Sequence, residues 1–138
     1  MYKPWQPLGL VLSCHPLLQW KNDGRTIHIL AEFWMTGATG LKLSITFEEG
    51  LAGFHAFDES TYQSVEGLPG PNLLDGKNFN HLPWPFWISP ANDRISLYGD
   101  LGQICYEHID TYWLVGAETV LWFDVADAAP HVSQVASP

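Results

Sequence analysis

The sequence predicts a mainly β, or α+β, fold: an antiparallel twisted sheet or partly open barrel with one or two short helices. Three observations carry this. Apolar residues alternate with polar ones over several segments, glycine-bearing turns separate those segments, and only short stretches fit a helical repeat. At 138 residues with a 46% hydrophobic fraction, the chain has the size and core-forming content of a single soluble domain spanning 1–138.

Taken in order, the first segment is LGLVLSC, which ends at Cys14 and has the look of a lipobox. Only Lys3 supplies charge, and Pro4, Gln6 and Pro7 leave an apolar region of about five residues where a signal needs ~7–15, so a first strand entering the sheet is expected instead. The turn Asn22-Asp23-Gly24 then joins the region from Leu10 to Trp20 with a strand from Thr26. In TIHILAEFWM, Ile27, Ile29, Ala31, Phe33 and Met35 share one face, and the TGATG turn leads into LKLSITF, where Leu41, Leu43, Ile45 and Phe47 alternate with Lys42, Ser44 and Thr46. After Glu48-Glu49-Gly50 comes LAGFHAF, so the N-terminal half reads as an antiparallel meander.

From Asp58 to Arg94 the pattern breaks. Glycines and prolines crowd this span, which reads as mostly loop with a short helical turn around 60 to 66. Within it HLPWPFWISP interleaves three prolines with Trp84, Phe86 and Trp87. Prolines remove backbone freedom, which suits a stiff lid folded onto the sheet or an aromatic platform held out for a sugar or peptide, and the lid is the favoured reading. DLGQICYEHID fits a strand or a helical face, with strand preferred. TYWLV and TVLWFDV flank Gly116-Ala117-Glu118 as a second hairpin, and the tail after Pro130 is expected to fray. Trp122 falls opposite Phe123, so apolar bulk is expected on both sheet faces.

Six histidines fall in no HExxH or HxH pattern, and Cys14 and Cys105 have no CxxC partner. No GxSxG or phosphate loop occurs. No cofactor, metal site or catalytic residue is therefore assigned, and the two thiols point to a reducing cytoplasm. No apolar run approaches the roughly 18 residues of a spanning helix.

Charge and aromatic content say more. The net charge is −9, and from Ile95 onward Asp100, Glu107, Asp110, Glu118, Asp124 and Asp127 face no lysine or arginine in the same stretch. Such a field repels nucleic acid and anionic membranes and speeds encounter with a basic partner, although acidity also serves solubility. Seven tryptophans exceed what a minimal core needs, and this residue type dominates binding hot spots.

The hairpin ending in LKLSITFEEG, its continuation LAGFHAFDES, and the closing YWLVGAETVLWFDVADAAPHV resemble small acidic bacterial immunity proteins of polymorphic and contact-dependent toxin systems. The resemblance runs roughly from Thr26 to Val132. It implies a non-catalytic cytoplasmic protein that binds a cognate toxin, often over the toxin's active site. On this reading Asp58, Glu59, Glu107, Asp110, Glu118 and Asp124 complement a basic toxin surface, and Trp84 and Trp87 anchor it. The rival expectation is a small-ligand or carbohydrate-binding β domain that uses the aromatic loop.

Overall fold

A computed structural model describes residues 3–12, 14–33, 40–48, 51–58, 84–89 and 108–135, apart from the side chain of Phe57. Its strands are β1 (Lys3–Pro4), β2 (Leu17–Asp23), β3 (Thr26–Phe33), β4 (Leu41–Phe47), β5 (Leu51–Asp58), β6 (Phe86–Ser89), β7 (Ile109–Val115), β8 (Thr119–Ala126) and β9 (His131–Gln134). They form a five-stranded sheet ordered β1-β6-β7-β8-β5 and a four-stranded sheet ordered β2-β3-β4-β9. Every pairing is antiparallel and neither sheet closes into a barrel. Among the described residues the only helical element is a 3-10 turn at Pro7–Gly9. None of the described helical residues forms a span long and apolar enough to cross a membrane.

The four-stranded sheet follows from alternation. Ile27, Ile29, Ala31 and Phe33 of β3 and Leu43, Ile45 and Phe47 of β4 are buried, while the residues between them are exposed or half-buried. Pairing of Ile27 with Phe47 and of Ile29 with Ile45 puts both apolar sets on one face. Gly24, at φ +66, supplies the left-handed backbone that lets Asp23 pair with Thr26 across a two-residue turn.

That face packs on Phe86, Tyr112, Leu114, Leu121, Phe123 and Val125 of the five-stranded sheet in one continuous core. Aromatic contacts bridge the two layers. Phe33 meets Phe86 edge-on at 5.8 Å, and Phe47 stacks on Phe123 at 4.1 Å and 11° while meeting Tyr112 edge-on at 5.6 Å. Each such ring contributes about 1.5–3 kcal/mol by leaving water. Trp5 closes the core beside β1, at 5.0 Å from Tyr112 and 5.8 Å from Phe86.

The β7–β8 hairpin is tied to the other sheet at its turn. Ala117 N–H donates to Pro16 O at 2.8 Å, and Gly116 N–H donates to Thr119 O at 2.7 Å. A Cβ on Gly116 would stand 2.9 Å from both Leu18 and the Thr119 carbonyl, so only glycine lets the turn approach β2 this closely.

Four expectations need correction. First, the meander ends at β4: β5 leaves it to pair with β8 in the other sheet, with a register shift between Leu51 and Gly53. Second, residues 10–12 and 14–16 are not strand, since Pro7–Gly9 turns the chain and β2 begins only at Leu17. Third, His131–Gln134 does not fray but forms β9 against β4. Fourth, HLPWPFWISP contains an interior strand, because Phe86–Ser89 lies between β1 and β7. Pro85 and Pro90 stand outside those four residues, so no proline interrupts the ladder, and Pro85 O still accepts Val115 N–H at 2.8 Å. Phe86–Ser89 is thus part of the sheet, and Trp84 and Phe86 pack on its core side. The helical turn around 60 to 66 and most of DLGQICYEHID lie outside the described residues, as do Trp34 and Cys105. Cys14 is half-buried.

Candidate functional site

The five-stranded sheet is apolar on both faces, as the alternation of Trp122 with Phe123 predicts. On the face turned away from the four-stranded sheet, register aligns Trp87, Trp113, Trp122 and His55 across β6, β7, β8 and β5. Trp113 and Trp122 stack at 4.9 Å and 18°, and His55 lies 4.5 Å from Trp122. The three tryptophans are buried, Trp113 completely, while His55 is exposed.

Beside this row runs a polar one. Ser89, Thr111 and Asp124 align in register and are all 1% exposed. Thr111 Oγ1 donates to Asp124 Oδ1 at 2.7 Å, and Trp122 Nε1 donates to the same oxygen at 3.0 Å. A carboxylate can be held inside a sheet only with such donors. Asp124, expected to face a partner, is instead an internal acceptor that fixes a tryptophan and a threonine.

The other expected residues separate toward the two ends of this sheet. At the β7–β8 turn end, Asp58 pairs with Thr119, the neighbour of Glu118, and both acids are exposed. The Pro85–Val115 bond brings Trp84 to the same end, three strand spacings or about 14 Å from β5. Trp84 is half-buried, its carbonyl accepts Trp87 Nε1 at 3.0 Å, and its own Nε1 has no hydrogen-bond partner among the described residues. Trp87, expected as an anchor, is 6% exposed and belongs to the internal row. At the opposite end, half-buried Asp110 lies 2.6 Å from His108 Nε2. Glu59 and Glu107 lie outside the described residues.

The turn end therefore gathers two exposed carboxylates and one half-buried indole that packs on the core, an arrangement suited to cationic groups framed by apolar area. No group of three or more His, Cys, Asp or Glu that could hold a metal ion occurs among the described residues. His131 lies 3.6 Å from Glu48 on the outer face of the four-stranded sheet, and both are exposed.

One titration follows from this packing. Burial, assisted by the nearby Asp110 carboxylate, pushes the Tyr112 phenol up from 10.0 to about 12. Below pH 10 its contribution to stability is intact. As the pH rises from about 10 to 12, the unfolded chain gives up a proton that the native chain keeps, and stability falls by about 1.4 kcal/mol per pH unit. Thermal unfolding measured across this range is expected to show that decline, and Tyr112→Phe is expected to flatten it. An equal decline in the variant would assign the effect elsewhere.

The fold and these residues define a two-sheet antiparallel β protein with one sheet buried on both faces and an acidic end. Comparison of the chain with protein-family models, curated proteins and solved structures finds no match.

Proposed function

We propose that this is a non-catalytic binding protein that neutralises a cognate bacterial toxin in the cytoplasm by tight protein–protein association. The observation that carries the reading is the pairing of Asp58 with Thr119, which places Asp58 beside Glu118 at the sheet end that also holds Trp84. On a chain of net charge −9, these carboxylates steer a basic surface such as a nuclease active site, and Trp84 supplies apolar contact once the surfaces meet. Asp110 at the far end, turned toward His108, takes a lesser part. The resemblance to immunity proteins points the same way.

Binding of a sugar or small ligand is the second reading, favoured by the row of Trp87, Trp113 and Trp122 with Asp124 beside it. Those rings are buried, so a ligand would have to displace packing to reach them, and this reading ranks below the first.

Affinity capture from host lysate at low and moderate salt tests the proposal, with an Asp58→Lys/Glu118→Lys variant in parallel. One stoichiometric basic protein is expected, bound about tenfold or more slowly by the variant and progressively lost as salt rises. Capture insensitive to both salt and charge reversal would overturn the assigned surface. Saturable quenching of tryptophan fluorescence by a sugar panel, with no protein captured, would favour the second reading.

A further inference from the structure

Sheet edges expose unpaired backbone groups, and proteins blunt them with short strands, prolines, bulges or charge. Among the described residues, three of the four sheet edges are blunted. β1 has two residues, one of them Pro4; β5 is interrupted between Leu51 and Gly53; β9 has four residues and follows Pro130. β2 is different. It runs seven residues, pairs with β3 along its whole length without a bulge, contains no proline, and is exposed from Gln19 to Asp23. At its centre Trp20 is 42% exposed, one of few large apolar side chains so placed.

We propose that β2 pairs antiparallel with β2 of a second copy, about a two-fold axis at Trp20, joining two four-stranded sheets into one of eight strands. The strand's own sequence selects this occupant and register. Pairing about Trp20 uses every residue from Leu17 to Asp23 and sets Trp20 against Trp20, Gln19 against Lys21, Leu18 against Asn22 and Leu17 against Asp23, with no like charges directly opposed. Moving the axis to Lys21 would oppose two lysines, and moving it to Asn22 would leave Leu17 to Trp20 unpaired.

Local charge permits the approach. Although the whole chain carries −9, the stretch Leu17 to Phe47 holds Lys21, Arg25 and Lys42 against Asp23 and Glu32. A second copy thus meets this edge at a surface that is not acidic, and the long-range repulsion that remains is screened by salt. At its Leu17 end this edge adjoins the β7–β8 turn through the Ala117–Pro16 bond, so the interface borders the Asp58/Glu118 surface, but the two respond to salt with the opposite sign.

Sedimentation velocity of the full chain over a wide concentration range, at low and moderate salt, tests this. The dimer fraction is expected to rise with both concentration and salt. Trp20→Lys places two ammonium groups on the axis and is expected to weaken the dimer about tenfold or more, a loss of about 1.4 kcal/mol or more, while Ser133→Lys on β9 at the other edge leaves it unchanged. Circular dichroism checks that each variant folds. In a Cys14→Ser/Cys105→Ser background, Trp20→Cys is expected to form a disulfide-linked dimer under mild oxidation and Leu17→Cys is not. A monomer at every concentration, or a dimer broken by Ser133→Lys and not by Trp20→Lys, would overturn the proposal.

Discussion

Phe47→Ala is expected to lower the free energy of unfolding by about 3–5 kcal/mol, a large share of the ~5–15 kcal/mol that holds a typical domain folded. The size follows from where the ring sits. Phe47 is 1% exposed, stacks on Phe123 at 4.1 Å and meets the edge of Tyr112 at 5.6 Å, so one side chain bridges both layers. Truncation removes its transfer energy and leaves a cavity between two hydrogen-bonded sheets that cannot readily collapse. Urea denaturation is the measurement, with a shifted midpoint and an unchanged slope as the expected signature. A double-mutant cycle with Phe123→Ala should yield a coupling of about 0.5–1.5 kcal/mol from the stacked pair. A loss under 1 kcal/mol would mean that the layers repack without this contact.

Asp124→Ala comes next, with an expected loss of about 2–4 kcal/mol. Its carboxylate accepts from the Thr111 hydroxyl and the Trp122 indole in a place closed to water, and stranding buried donors costs about 1–3 kcal/mol each. Asp124→Asn keeps an acceptor oxygen and should recover part of the loss. Neither change should alter partner capture by the protein that remains folded, because the residue is 1% exposed. Asp58→Lys, at an exposed position, should instead slow capture. If Asp124→Asn kept full stability and abolished capture, Asp124 would belong to the interface after all.

Much of the fold was legible where a strand has one wet face. β3 and β4 alternate because only one side meets the core, and glycine marks the β2–β3 reversal, so both strands and their hairpin could be read directly. Partner choice was less accessible. LAGFHAF reads as a strand, yet nothing local tells β5 to leave its neighbours and join β8, since that pairing is made by contacts between distant residues, such as Phe54 stacking on Phe123 at 5.1 Å. β6 was hidden by its prolines, which flank the strand instead of breaking it. The site was legible in part. The hairpin turn at Gly116 fixes the register that brings Thr111 to Asp124, so the internal acceptor could have been found by counting outward from it. An acidic residue two positions from a tryptophan, on a strand with apolar residues on both faces, was the available signal. Composition records how many carboxylates there are but not which ones face water.

The route of the chain has a further consequence, for the order in which the protein assembles. Lys3 pairs with Ile88, and Thr46 with His131, so each sheet takes an outer strand from a distant part of the chain. During synthesis the β2–β3–β4 meander emerges early and can pair at once, but β4 keeps an open edge until His131–Gln134 has been made. β5 likewise waits for β8. Such distant pairings close slowly because the intervening loop entropy is lost before the contacts form. The nascent chain therefore spends much of its synthesis with open edges beside apolar strands, and the demand for chaperone protection should peak before β8 and β9 emerge.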